Sequence, residues 1–268
     1  MRPVWAEVDL GAISANVATL RAVATPAAMC AVVKADGYGH GAVPSARAAL
    51  AGGADVLAVA LVAEGVELRE AGIDTVVLVL SQASADEIDT LVAADLDATV
   101  YTASGVRGLA DAARRAGRTA ERAVRVHLKV DTGMHRVGVQ PDEAVELARA
   151  IAAEPALDLR SVFTHCAVAD EPGNPFTGEQ LDRFDAVLAD LTAAGIEVPC
   201  THAANTAATL DHPEARRGLV RCGIGIYGLD PAPALAGRVP LRPALSLHAR
   251  VSHVKRVAAG EGISYGLR

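Results

Sequence analysis

Lysine is scarce in this 268-residue sequence: among 25 Lys and Arg residues only Lys34, Lys129 and Lys255 are lysine. Each lysine is therefore worth a separate question. Aromatic residues make up 3% of the chain, with a single Trp. Positive charge is in deficit, since 32 acidic against 25 basic side chains give a net −7. That balance leaves no electrostatic footprint for nucleic acid, which wants a basic patch. Long apolar runs are missing as well. Stretches such as 75–80 have the length of a strand, far below the ~20 residues of a spanning helix, so no membrane partner is expected. The opening Met1-Arg-Pro-Val-Trp-Ala-Glu has no apolar core of a signal peptide. The four cysteines, Cys30, Cys166, Cys200 and Cys222, form no C-x-x-C pair, so neither a zinc site nor a disulfide framework is expected. Buried free thiols in a reducing cytoplasm are the ordinary reading.

What is present is ample material for a core, with 51% apolar and 21% charged residues. Strands are expected at 29–34, 55–61, 75–80, 97–101, 124–130, 159–165, 198–202 and 219–227. Their near-continuous hydrophobicity suits a parallel sheet buried on both faces. Helical spacing lies between them. Ser84 and Glu87 form a capping-box pattern ahead of 84–94, and Pro141 takes the first-turn position before 142–153. Gly117 and Gly195 stop the stretches 112–116 and 181–194. Eight strands alternating with helices predict an α/β fold, a (β/α)8 TIM-type barrel.

The expected organisation is an N-terminal strand within 1–10, a barrel over 11–229, and a change of character over 230–268. In the tail, Leu245, Leu247, Ala249 and Val251 alternate with polar residues, a period-2 strand. About 40 residues with one good strand cannot bury a core of their own. The tail reads as the incomplete beginning of a second, β-rich domain.

A barrel gathers its chemistry at the C-terminal ends of its strands. Strand one ends in Lys34-Ala-Asp-Gly-Tyr-Gly-His-Gly, and strand five in Lys129-Val-Asp-Thr-Gly-Met-His-Arg136. Strand six ends in Thr164-His165 and strand seven in His202-Ala-Ala-Asn205-Thr206. Strand eight holds Arg221-Cys-Gly223-Ile224-Gly. Apolar residues before Lys34 set its stem in an apolar wall, and a neutral lysine amine forms a Schiff base with an aldehyde. Arg221 lies within an apolar strand and needs an acceptor, either in a site or in a structural ion pair. Gly223 and Ile224 offer backbone N–H groups, and Asn205-Thr206 opens a short helix, the usual phosphate position in this fold. Thr206 as a plain N-cap is the alternative. His165 reads equally as a core histidine, and Lys129 and Arg136 each have Asp131 as a possible partner. His40, His202 and His253 read as ordinary hydrogen-bonded histidines.

The segment Ala31-Val-Val-Lys-Ala-Asp-Gly-Tyr-Gly-His-Gly41 resembles the pyridoxal-phosphate signature of alanine racemases. So, in family order, do Lys129–Arg136, 163–170, 202–206, 220–229 and Gly262-Ile-Ser-Tyr-Gly266, and the resemblance runs from about residue 3 to the last. It implies pyridoxal 5′-phosphate (PLP) as cofactor, interconversion of L- and D-alanine by two bases, and a D-alanine supply for peptidoglycan. It also implies a homodimer whose β domain continues past Arg268. On this resemblance Lys34 holds PLP as an internal aldimine and serves as one base, while Tyr265, supplied by the partner subunit, is the other. Tyr38, Asn205, Thr206 and the backbone of Gly223 and Ile224 surround the phosphate. Arg221 meets the pyridine nitrogen, with His165 beside the ring and bonded to Arg221. Arg136 contacts the phenolic oxygen and the substrate carboxylate, positioned by a carbamylated Lys129. A noncatalytic PLP-binding protein is the other expectation, because the second domain is incomplete. A decarboxylase of this fold is disfavoured by Arg221, where an acidic partner is expected. A cofactor-free aldolase leaves Arg221 and Asn205-Thr206 unexplained.

Overall fold

The computed structural model describes residues 3–267; Met1, Arg2 and Arg268 of the expected terminal segments lie outside it. Ten strands are present: β1 (Val4–Val8), β2 (Ala28–Val32), β3 (Val56–Val59), β4 (Val77–Val79) and β5 (Ala98–Val100). They continue as β6 (Val124–Lys129), β7 (Leu157–Phe163), β8 (Thr201–His202), β9 (Leu219–Cys222) and β10 (Leu245–Ala249). Strands β2 to β9 are the eight expected from sequence. All of their pairings are parallel, in two arcs ordered β4-β3-β2-β9 and β5-β6-β7-β8. The arcs meet at two seams. Val79 N–H donates to Asp97 C=O and Asp97 N–H to Val77 C=O, while Arg221 N–H reaches Ala204 C=O and Gly218 N–H reaches Thr201 C=O. A closed eight-stranded barrel results, with no exposed sheet edge.

Helices α1 (Leu10–Ala24), α3 (Ala42–Ala51), α4 (Val62–Glu70) and α5 (Ile88–Ala93) lie in the outer layer, and the short segment α2 (Lys34–Gly39) is a left-handed turn at the barrel mouth. Then come α6 (Ala103–Arg115), α7 (Ala144–Ala152), α8 (Phe176–Ala193) and α9 (Thr206–Asp211). Among the described residues no helix is long and apolar enough to cross a membrane. Gly117 and Gly195 follow α6 and α8 with φ of +66° and +73°, as helix stops require.

Three sequence expectations change. The run 219–227 is not one strand: it ends at Cys222, and Ile224–Tyr227 is a 3-10 turn. Ile226 and Tyr227 are buried in that turn, and an apolar run alone cannot distinguish a strand from a buried turn. Helix α5 starts at Ile88, not at the capping pattern. The Glu87 carboxylate does accept from Ser84 N–H and Oγ, within a turn ahead of the helix. Pro141 opens a 3-10 turn, Pro141–Glu143, which leads into α7. In the tail, β10 pairs antiparallel with β1 (Val4 opposite Ala249), and Tyr265–Leu267 is a turn.

Alternation along the strands builds the barrel interior. Cys30, Val32, Ala58, Leu78 and Leu219 form a small apolar cluster apart from the main core. On the other arc the corresponding positions are polar and buried: Asp97, His127, Ser161 and His202. The interior is thus greasy on one side and hydrogen-bonded on the other.

Asn16 ties α1 to the far end of the chain. It is 1% exposed, its amide donates to Ile226 and Arg242 C=O, and its oxygen accepts from Arg242 N–H. Asn16→Ala leaves these three groups unpaired and is expected to cost about 2–4 kcal/mol, read as a lower urea midpoint. An unchanged midpoint would show that water replaces the amide at no cost.

Candidate active site

Lys34 follows β2 at the barrel mouth and begins a left-handed turn. Ala35, Asp36, Gly37 and Tyr38 all have φ between 52° and 60°. L-residues resist that region by roughly 1–2 kcal/mol each, so the surroundings must hold it. The Glu64 carboxylate accepts from Ala35 N–H at 2.6 Å and from Ala60 N–H at 2.7 Å. Asp36 Oδ1 accepts from Ala42 N–H at 2.7 Å. A Cβ at Gly37 would stand 2.8 Å from Ser45 Oγ, so this position has room only for glycine. The turn lays the Tyr38 ring against Tyr227 (centroids 5.0 Å apart), with Lys34 Nζ 5.9 Å from the Tyr38 centroid.

Arg221 comes from β9 and is 3% exposed. Its Nη1 lies 2.6 Å from His202 Nδ1. Its Nη2 lies 2.8 Å from Thr164 C=O, 3.1 Å from Ala203 C=O and 3.1 Å from His165 Nδ1. Among the described residues no carboxylate pairs with it, and Nε–H has no acceptor. Burial pulls its pKa down from the usual arginine value. Burial, then the charge of Arg221, keeps His165 and His202 well below the ordinary histidine value. Both rings are therefore neutral and able to accept. Phe163 floors this corner: it stacks on His202 (4.6 Å, 9°) and lies under Arg221 at 5.2 Å and Lys129 Nζ at 5.6 Å.

Lys129 ends β6 and is 6% exposed. Burial first, then the charges of Arg221 and Arg136, lower its pKa to about 8. Asp131, the possible partner named from sequence, instead caps the following turn by accepting from Gly133 and His135 N–H. Arg136 makes no hydrogen bond or ion pair among the described residues.

Asn205 and Thr206 divide the roles left open in sequence. Asn205 is the N-cap of α9, accepting from Ala208 N–H at 2.9 Å. Thr206 Oγ1 accepts from Gly223 N–H at 3.1 Å and Gly225 N–H at 3.4 Å, stitching α9 to the turn after β9. A Cβ at Gly223 would lie 2.5 Å from Tyr38 Oη, so glycine opens the space between them.

Lys34, Tyr38, Lys129, Arg136, His165, Asn205, Thr206, Arg221, Gly223 and Ile224 all line one cavity of about 620 Å³. Tyr265 does not. It stands fully exposed in the tail. The sequence reads His202 as an ordinary hydrogen-bonded histidine, whereas it is the closest partner of Arg221; Phe163 and Glu64 were not singled out as site residues. His202 ends β8 and Phe163 ends β7, two residues before His165, so strand-end position is the signal both carry. Glu64 sits on a neighbouring helix and carried no local signal. Burial pushes the Cys30 thiol up to about 12 and the Cys166 and Cys222 thiols to about 11, so none is poised to react.

The alanine racemase N-terminal domain family matches residues 8–231. The alanine racemase of Symbiobacterium thermophilum is 48% identical over 266 residues, covering 99% of this chain and 70% of the relative. That of Thermobifida fusca is 47% identical over 268 residues, covering 98% and 70%. Among solved structures, alanine racemase from the D-cycloserine producer Streptomyces lavendulae superposes with a TM-score of 0.90 at 41% identity, covering 99% of this chain and 70% of that one. The Bacillus anthracis enzyme with bound L-Ala-P gives 0.87 at 36% identity, covering 100% and 69%. With its fold, its barrel-mouth residues and these relatives in agreement, the chain belongs to the alanine racemase family.

Proposed function

We propose that this chain interconverts L- and D-alanine with PLP held at Lys34. The observation that carries the reading is a lysine amine, an unneutralised buried guanidinium and open backbone donors, all around one cavity. The residues fit the cofactor on the structure's own terms. The glycine at 223 leaves a cradle beside Tyr38 Oη. Thr206 and Ala207 N–H at the start of α9, and Ile224 N–H after β9, have no acceptor among the described residues, which suits a phosphate. Bound there, the cofactor's conjugated ring withdraws electrons and stabilises negative charge at the substrate Cα.

The chain's own groups do the rest. Arg221 offers its free Nε–H toward the ring nitrogen, and a guanidinium donates without surrendering its proton. A ring met in this way would stay unprotonated and act as a moderate electron sink. His165, whose Nδ1 lies 3.1 Å from Arg221 Nη2, holds the guanidinium and would stand beside the ring. Arg136, with no partner among the described residues, is available to a substrate carboxylate in bidentate geometry. Lys34 moves a proton to or from Cα on one face. The other face needs a second base, and Tyr265 is that base when a partner subunit presents it. A homodimer, a cytoplasmic setting and a D-alanine supply for peptidoglycan complete the reading. So does the organisation into an N-terminal strand, a barrel over 11–229 and the opening of a β domain over 230–268.

The exposed Tyr265 favours a second reading for a lone subunit: a PLP-binding protein with one base and no racemase turnover. Borohydride reduction with PLP, followed by peptide mass mapping, is expected to place a pyridoxyl group on Lys34 and to find none in Lys34→Ala. An adduct mainly on Lys129 or Lys255 would overturn the site. Racemisation of alanine by the trapped-competent chain separates the two readings: turnover supports the enzyme, and cofactor retention without turnover supports the carrier.

Lys129 adds a pH-dependent outcome. Carbamate formation consumes a neutral amine and CO2 and releases a proton, and a pKa of about 8 makes neutral amine abundant only above that pH. At fixed dissolved, isotopically labelled CO2, a carbamate signal on Lys129 is expected to grow severalfold between pH 7 and pH 8.5, following the neutral fraction. It is expected to be absent in Lys129→Ala. A signal flat across that range, or retained in the variant, would contradict the assignment.

A further inference from the structure

Behind Arg221 a hydrogen-bonded chain crosses the barrel interior without lining the cavity. His202 Nδ1 faces Arg221 Nη1 at 2.6 Å, and His202 Nε2 lies 2.8 Å from Ser161 Oγ. Ser161 Oγ is 2.6 Å from His127 Nδ1, and His127 Nε2 is 3.0 Å from Asp97 Oδ2. The other carboxylate oxygen, Asp97 Oδ1, accepts from Arg125 Nε. His127 is the most exposed of the four middle members at 7%, and His202 is fully buried. Water has little access to any link.

The two ends dictate where each proton sits. A guanidinium only donates, so His202 Nδ1 must accept and its hydrogen must be on Nε2. That N–H donates to Ser161 Oγ. The hydroxyl hydrogen then has one acceptor in line, His127 Nδ1. His127 accordingly carries its hydrogen on Nε2 and donates to Asp97, a carboxylate that only accepts. Every hydrogen is used once, and the direction runs from Arg221 to Asp97. Phe163, stacked on His202, holds the ring plane, so the tautomer is the one thing left to be fixed.

We propose that Ser161, His127 and Asp97 are positioning residues: they lock His202 as its Nε2–H tautomer and through it fix the orientation of the Arg221 guanidinium at the cavity floor. A hydrogen on His202 Nδ1 would set donor against donor at 2.6 Å and leave a buried guanidinium N–H unpaired. The chain's consequence for catalysis rests on the PLP reading above, whereas its proton positions do not.

The test is made first on the cofactor-free chain, labelled with 15N-histidine. Long-range proton–nitrogen spectra are expected to show His202 and His127 each protonated on Nε2 and bare on Nδ1. Either ring protonated on Nδ1 overturns the proposal without any variant. In Asp97→Asn, Arg125 Nε still needs an acceptor, so the amide oxygen stays with it and the amide N–H turns to His127 Nε2. His127 is then expected to move its hydrogen to Nδ1, and the His202 signals are expected to shift with it. An unmoved His127 overturns the relay. In a Ser161→Ala background the link is cut, and adding Asp97→Asn is expected to leave His202 unchanged; a persisting response contradicts the path through Ser161. With PLP added, Asp97→Asn is expected to displace the absorbance maximum of the bound cofactor. Tautomers as expected but no Lys34 adduct in the unsubstituted chain would leave the relay standing and overturn the cofactor reading instead.

Discussion

The structure turns on a buried cation that has no counter-anion among the described residues. Arg221 sits inside the barrel, held by two backbone carbonyls and two neutral imidazoles. An ionised group in such a place demands full hydrogen bonding or a charged partner. Carbonyls supply part of the demand. The imidazoles supply the rest, and they can do so only while unprotonated, a state that burial and the guanidinium charge both enforce. The arrangement is self-consistent: the arginine keeps its neighbours neutral, and their neutrality lets them bind the arginine.

From that constraint the rest of the mouth follows. A guanidinium with no carboxylate partner among the described residues leaves its positive field to act on the cavity, and at Lys129 that field adds to burial in lowering the pKa. Lys34 and Arg136 add to the same field. A pocket with this many donors and so little negative charge suits an anionic occupant. The left-handed turn after Lys34 answers a different need. It costs local strain, offset by Glu64 and Asp36, and it brings Tyr38 over to the glycine at 223 while keeping the amine at the strand end. Strain held in place at a ligand site is where such backbone is commonly found.

Much of this was legible in sequence because a barrel converts strand ends into a site. Lys34, Lys129, His165 and Arg221 could be read as one group from their places relative to apolar runs, before any distance was known. The eight strands emerged from the same runs. What was not legible lies where side-chain packing, not local pattern, decides. The apolar run 219–227 hides a turn, since Tyr227 is as buried in a 3-10 turn as it would be in a strand. His202 read as an ordinary core histidine, which it is by burial, yet its Nδ1 holds Arg221. Asp97, just before β5, His127 on β6 and Ser161 on β7 come from three separate segments, and no spacing within one of them announces that they share an interior face. The tail alternates as a strand should, and β10 forms, but its large side chains Leu245 and Leu247 remain exposed.

In the proposed site Arg221 would meet the cofactor as a donor that keeps its proton. The direct measurement is the nitrogen resonance of ring-labelled PLP bound to this chain. An unprotonated pyridine nitrogen, hydrogen-bonded but not charged, is the expected result. A pyridinium resonance would contradict it, because a protonated ring nitrogen and a guanidinium, both donors, cannot face one another across that contact.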